Sequence, residues 1–397
     1  FGVSGGYVGV DVFFVLSGFL ITRLLLDEVG RTRRVSLLGF AARRARRLLP
    51  AAAVVLVAVV LVSASISGEL RAHATAVDAT WAAALLANVR FASAGADYLR
   101  STAPPSLLQH WWSLAVEEQF YVVWPLLVAV VTTRASRVAA RARLTVVATA
   151  VGGISLWWSV THVHSDPVHA YFLPWSRAWE LLVGALLACG WEWRQRLRWR
   201  GVLGWVGLAV VIASCIRFDR TTAFPGVAAL APVLGTAAIV MSIGGRGGTG
   251  WLLGARPLQW LGSRSYTLYL WHWPALMLLA DRAPHASAGQ RAAVVGASLA
   301  LAHVTTLLIE RPVRSMRVLT ASNGHSLLVG AACIITSLSA ASVVAVATRH
   351  PTVDTGYVAP TIPSATTAAT TVAPTVSPTV SPTDSNVGTT AGTTAVS

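Results

Sequence analysis

QHWWSLAVEEQFYVVWP, Gln109 to Pro125, places two adjacent carboxylates, Glu117 and Glu118, inside an apolar and aromatic run. Read as a helix, Ser113, Glu117 and Tyr121 fall one turn apart on one face, with Trp124 close to the same stripe, while Glu118 points elsewhere. The run continues through PLLVAVVTT to Arg134, about 20 residues from Ser113, the length that crosses a bilayer core. Pro125 argues against a regular soluble helix but is tolerated in a membrane-spanning one, where neighbours satisfy the freed carbonyl. Glu117 then sits about 6 Å inside one membrane face at the helical rise. An unpaired charge there costs several kcal/mol, so Glu117 is either a functional group or the partner of an arginine on another helix.

Composition points the same way. The chain has 397 residues, 54% hydrophobic and only 12% charged, which excludes an ordinary soluble domain and implies an all-α polytopic membrane protein. The net charge of +15 is carried by 31 basic residues, every one Arg. They cluster between apolar segments instead of on one face, so no nucleic-acid partner is expected. Cys189, Cys215 and Cys333 lie in apolar segments and read as small buried hydrophobes. His162, His164 and His169 share one short loop without a matching carboxylate or Cys cluster, so no metal is expected.

Apolar runs give about ten candidate spans, roughly 9–26, 50–66, 113–132, 144–161, 170–190, 201–217, 225–243, 264–280, 290–309 and 326–347. The connecting loops alternate in Arg content. The rich set holds Arg31, Arg33, Arg34 and Arg43 to Arg47, then Arg134 to Arg143, Arg194 to Arg200, Arg246 and Arg256, and Arg311 to Arg317. The positive-inside rule makes that set cytoplasmic and puts Phe1 and the C-terminus outside a cytoplasmic membrane. Residues 68–108 are then the longest outer loop, and Val77 to Phe91 is expected to be a short helix on the membrane surface. Residues 1–349 form the transmembrane domain. Residues 350–397, with TIPSATTAATTVAPTVSPTVSPTDS, read as a disordered extracytoplasmic linker. A linker joins two things, so a folded outer domain is expected beyond Ser397. An outside start is resolved by one more helix ahead of Phe1, about eleven spans in all.

Several stretches together resemble the acyltransferase-3 family, membrane-bound O-acyltransferases of bacterial cell-surface polysaccharides. GGYVGVDVFFVLSGFLIT, Gly5 to Thr22, looks like the family's second helix, with its Asp at the outer end. RRARRLLPA fits the family's R-x-x-R motif as Arg44 and Arg47, followed by Pro50. WSLAVEEQFY matches at Trp112, Ser113, Leu114, Glu117, Phe120 and Tyr121; SRAWELLVGALLA resembles the central Arg-x-x-Glu helix; and LGSRSYTLYLWHWP with IERPVR resembles the later segments. The resemblance covers nearly the whole membrane portion. It implies a first helix ahead of Phe1 bearing a catalytic His near its outer end. Relatives with a linker commonly carry an SGNH-hydrolase-like outer domain, fused or separate, as partner; no GDS or D-x-x-H motif follows the linker here.

The implied reaction moves an acyl group, in the main acetyl from cytoplasmic acetyl-CoA, to hydroxyls of an extracytoplasmic glycan. A hydroxyl attacking a thioester needs a base, an orienting partner for it, and stabilisation of the oxyanion. Catalytic candidates are Glu117, Asp11, Arg177, Glu180 and His272, with Glu117 orienting the His of the preceding helix. Arg44 and Arg47 are candidates for the CoA phosphates, which guanidinium groups bind bidentately; setting topology or binding lipid headgroups are the bland alternatives. Arg177 and Glu180, three apart, also read as a structural intrahelical pair, and His272 as a hydrogen-bonded interior histidine. By depth, Asp11, Glu117, Arg177 and Glu180 are expected in the outer half and Arg44 and Arg47 at the inner end, so that a polar track spans the bilayer. Two other readings stay open: a carrier that relays the acyl group to a separate outer transferase, and an inactive fragment.

Overall fold

A computed structural model describes residues 4–98, 105–192, 199–219, 221–244 and 247–349. The 350–397 linker and the loop arginines Arg100, Arg194, Arg196, Arg198, Arg220 and Arg246 lie outside the described residues. Among the described residues every regular element is helical. The protein is an all-α, multi-pass membrane protein.

A short 3-10 turn leads into α1 (Gly9–Thr32), and α2 (Leu37–Ile66) follows a tight turn capped by the Ser36 side chain, which accepts from the Gly39 amide. Next come α3 (Glu69–Ala83), α4 (Ala87–Tyr98), α5 (Trp111–Thr132), α6 (Arg137–His162), the one-turn α7 (Pro167–Phe172) and α8 (Pro174–Cys189). The second half holds α9 (Arg200–Arg217), α10 (Leu230–Ser242), the short α11 (Gly250–Leu253) and α12 (Arg256–Gly262), α13 (Ser265–Arg282) and α14 (Ala288–Thr305). A π-helical turn (Thr306–Glu310), α15 (Arg311–Ser315), α16 (Arg317–Ala321) and α17 (Asn323–Ala347) complete it.

Each of the ten sequence-derived spans overlaps a helix, although 170–190 is broken at Leu173 and 225–243 becomes helical only from Leu230. Seven helices are long and apolar enough to cross a membrane, namely 6–32, α2, α5, α6, α9, 288–315 and α17. The remaining three are α8, α10 and α13. α8 is shorter because Pro174 restarts the helix after Leu173, which is extended and cannot stay helical before a proline. It also carries Arg177 and Glu180, which lower its hydropathy.

Residues 77–91 differ from expectation. They do not form one surface helix: the chain breaks between α3 and α4, where Leu85 takes a φ of 61°. α3 buries Ala72, Thr75, Ala76, Asp78 and Ala79 and packs against α2 and α17. Small alanines let that face approach its neighbours closely, which outweighs the attraction of a membrane surface for a weakly amphipathic segment.

α1 and α8 make the closest backbone approach in the site region. A Cβ placed on Gly18 would lie 1.8 Å from the Leu181 carbonyl oxygen, and one on Gly184 would lie 2.1 Å from the Val15 carbonyl oxygen. Only glycine fits at either position, the small-residue contact by which membrane helices pack without hydrophobic drive. Gly18→Ala is therefore expected to force the helices apart at a cost of about 1–3 kcal/mol, read as a lower melting temperature in detergent. Gly153→Ala, where a Cβ meets open space, is the control and should leave melting unchanged or slightly raised.

Candidate functional site

α5 presents its stripe as the periodicity predicts. Ser113, Glu117, Tyr121 and Trp124 are all buried, and together they meet α1, α2 and α13. The Ser113 hydroxyl lies 2.7 Å from the Tyr269 hydroxyl on α13, and Trp124 Nε1 donates to Thr22 Oγ1 on α1 at 2.8 Å. Glu117 Oε1 accepts from Ser17 Oγ on α1 at 2.6 Å and from the Tyr121 hydroxyl one turn along its own helix. Ser17 and Tyr121 also touch each other at 2.5 Å. Two hydroxyls thus clamp one carboxylate oxygen from two sides.

α2 brings Arg44 to the same carboxylate, with Nη2 at 3.9 Å from Glu117 Oε1 and the guanidinium centred 3.9 Å over the Tyr121 ring. This corrects the expected depths. Glu117 lies about 9 Å along α5 from Trp111 and Arg44 about 10 Å along α2 from Leu37. Those ends were assigned to opposite membrane faces, yet the side chains meet. α2 has 30 residues, about 45 Å of helix, so it outruns a hydrocarbon core of about 30 Å and its first turns are not fixed in depth by hydropathy. Glu118 does not point away either: it is half-buried and interacts electrostatically with Arg44 and Tyr266, on the flank of the same site.

Arg44 and Arg47 hold spare hydrogen-bonding capacity. Arg44 makes no hydrogen bond among the described residues, and its Nε is buried without a partner. Arg47, one turn further, forms neither hydrogen bond nor ion pair among the described residues, although it interacts electrostatically with Glu310 on the π-helical turn. Glu310 is buried, 3.8 Å from Arg314, with Oε2 unpartnered. The Tyr266 hydroxyl donates to the Leu48 carbonyl at 2.9 Å and holds α13 against this part of α2. A guanidinium with unmet donors beside a clamped carboxylate is suited to a planar anion such as a phosphate or carboxylate.

Asp11, Arg177 and Glu180 form a separate cluster. Arg177 Nη2 lies 3.2 Å from Asp11 Oδ1 on α1, and its Nε lies 3.1 Å from Glu180 Oε1, all three at 0% exposure. The rings of Phe14, Trp112, Tyr171 and Phe224 surround the guanidinium at 5.3–5.8 Å. The sequence shows the Arg177–Glu180 spacing; the Asp11 arm, which ties α8 to α1, belongs to the fold. Arg177 Nε and Nη1, Asp11 Oδ2 and both Glu180 carboxylate oxygens are buried without a hydrogen-bond partner among the described residues, so the cluster is held by charge across the α1–α8 contact.

His272 stands apart from Glu117. Its Nδ1 lies 3.1 Å from the Leu268 carbonyl and 2.8 Å from the Tyr269 carbonyl, contacts in which Nδ1 carries a hydrogen and donates. The residue the sequence reading passed over is His110, just before Trp111. It is buried, with both ring nitrogens unpartnered, and its ring stands 5.7 Å from that of His272. A histidine at the start of an aromatic helix was the available signal, but its pairing with α13 is not visible along one chain. The histidines around the α6–α7 connection do not converge: His162 stacks on Trp158 and His169 pairs with Asp166. Among the described residues no group of His, Cys, Asp and Glu could hold a metal ion.

Comparison with known proteins adds the family. Residues 2–309 match the family described as an acyltransferase domain. The chain is 34% identical over 290 residues to YrhL of Bacillus subtilis (strain 168), covering 69% of this chain and 45% of that protein. It is 29% identical over 325 residues to the peptidoglycan O-acetyltransferase OatA of Listeria monocytogenes, covering 78% and 52%. It is 30% identical over 288 residues to the O-acetyltransferase OatA of Staphylococcus aureus, covering 70% and 47%. The chain spans about half the length of the curated relatives it matches. No solved structure matches it.

Removing Arg177 while keeping both carboxylates is expected to leave two uncompensated buried acids. Arg177→Met should destabilise the fold by about 3–5 kcal/mol, measured as loss of a monodisperse folded peak in detergent. Adding Asp11→Asn and Glu180→Gln should restore part of that peak, because the unpaired charges are then gone.

Proposed function

The chain belongs to the acyltransferase family, and from that premise we propose that it transfers an acyl group, acetyl in the first instance, from an acyl-CoA donor to hydroxyls of a cell-wall glycan across a bacterial cytoplasmic membrane. The named relatives supply the acceptor class, since the Listeria protein is described as acting on peptidoglycan. The observation that carries the reading is the pair of arginines with unmet donors, Arg44 and Arg47, beside the clamped carboxylate of Glu117.

In this reading Arg44 and Arg47 hold the phosphates of the donor, because guanidinium groups stay charged at any relevant pH and bind phosphate in forked pairs. The acceptor hydroxyl adds to the thioester carbonyl, its proton passes to a base, and the carbon–sulfur bond breaks to release a thiolate that takes up a proton. Glu117 orients that base, and Ser17 and Tyr121 fix Glu117 in turn. His272, whose Nδ1 is engaged by the Tyr269 carbonyl, remains a secondary candidate for moving the proton. Asp11, Arg177 and Glu180 keep α1 and α8 in register, which places Ser17.

A second reading, in which this region relays the acyl group to a separate outer transferase of SGNH type, is favoured by one observation. The matched relatives are about twice as long as the region they share with this chain. The two readings part on whether purified protein labels glycan alone or only with a partner domain.

The test uses the full-length protein in membranes with labelled acetyl-CoA and a peptidoglycan acceptor. Glu117→Gln should abolish acetylation while the protein stays in the membrane; retained acetylation would sink the role of Glu117. Arg44→Ala and Arg47→Ala should each raise the KM for acetyl-CoA by roughly 10–100-fold, the value of a lost charge-assisted hydrogen bond. An unchanged KM would remove the arginines from the donor site.

A further inference from the structure

A cavity lies away from Glu117, where the last turns of α1 meet the first turn of α6. Its volume is about 360 Å³, and Asp27, Gly30, Arg31, Arg137, Ala140 and Arg141 line it. Volumes of this order are those of small-molecule sites. Three guanidinium groups face one carboxylate, so the pocket is biased toward anions.

The arginines are fixed in ways that leave donors free. Arg137 Nη2 donates to the Gly30 carbonyl at 2.5 Å, and Arg31 Nε donates to the Asp27 carbonyl at 3.3 Å. Arg141 is held by Glu192, with Nη1 at 2.7 Å from Oε2. Among the described residues neither Arg31 nor Arg137 forms an ion pair. Each has five N–H donors, and a backbone carbonyl takes only one.

Two features of the backbone add to this. α6 begins at Ser136, whose side chain accepts from the Ala139 amide, so the positive end of the helix dipole opens beside Arg137. Gly30 has no Cβ, and one built there would lie 3.0 Å from Arg137 Nε. That absence lets the guanidinium lie flat against α1 and keeps the cavity open. Asp27, on α1 with Gly30 and Arg31, adds an acceptor to the lining, able to take a hydrogen bond from a hydroxyl or ammonium group attached to the anion.

We propose that this pocket is a phosphate-binding site, in which Arg31 and Arg137 grip a phosphate and Asp27 meets a hydroxyl or amine carried beside it. Two sources have that chemistry: the headgroup of an anionic phospholipid, and the soluble phosphates of a coenzyme A donor. Basic pockets between membrane helices take lipid headgroups by this kind of contact. The lipid source stands independently of the transferase reading, whereas the coenzyme source rests on it.

The test compares the full chain purified in detergent with an Arg31→Gln, Arg137→Gln double variant and with Gly30→Ala, which crowds Arg137 without removing charge. Arg256→Gln is the control for general loss of positive charge. Retention of dioleoyl phosphatidylglycerol against dioleoyl phosphatidylcholine is read by native mass spectrometry, and acetyl-CoA affinity by a separate titration. Melting curves that superpose on the parent's show that the variants are folded, as expected for exposed arginines. Loss of phosphatidylglycerol by about tenfold or more in the double variant, with a smaller loss in Gly30→Ala and none in Arg256→Gln, supports the site with lipid as its ligand. An equal weakening confined to acetyl-CoA supports it with the donor as its ligand. Variants that match the parent in both measurements overturn the proposal.

Discussion

A charge that enters the interior of a membrane protein must find its counter-charge there, because no water is present to do the work. Arg177 meets that constraint between Asp11 and Glu180, all three wholly buried, and the pairing requires α8 to lie against α1. Gly18 and Gly184 make the approach sterically possible. Once α1 is seated in this way, Ser17, six residues beyond Asp11, sits about 9 Å further along the helix, where it reaches Glu117. The clamp and the candidate site are therefore two stations on one helix.

The two clusters contain the same residue types and differ in access. Arg177 is wholly buried between two carboxylates and among four aromatic rings. Arg44 keeps 14% of its side chain exposed and Arg47 is exposed, and both keep donors that no group among the described residues takes. Buried ion pairs add little net stability, since desolvation offsets their attraction. Their value here lies in fixing which helix faces meet.

Much was legible in advance where the physics is local. The stripe Ser113, Glu117, Tyr121 and Trp124 follows from the helical repeat and is the buried face of α5. The Arg177–Glu180 pair follows from three-residue spacing. Each run of apolar residues became a helix, since hydrocarbon leaves the backbone few alternatives. Residues 77–91 failed because weak amphipathicity does not say whether a face meets lipid or protein, and α3 met α2 and α17. His110 escaped notice because its unpartnered ring nitrogens matter only beside His272, more than 160 residues on.

Sequence alone determined the class of the protein, the approximate positions of its long apolar helices, and the polar face of α5, because hydropathy and a 3.6-residue repeat are properties of neighbouring residues. The family resemblance added a function to be tested. Tertiary structure alone decided that Asp11 joins Arg177, that Ser17 and Tyr121 clamp Glu117, and that Arg44 reaches Glu117 instead of lying a membrane's thickness away. Those outcomes depend on how far each helix slides along its own axis and which side it turns to its neighbours. Packing between segments distant in sequence sets both.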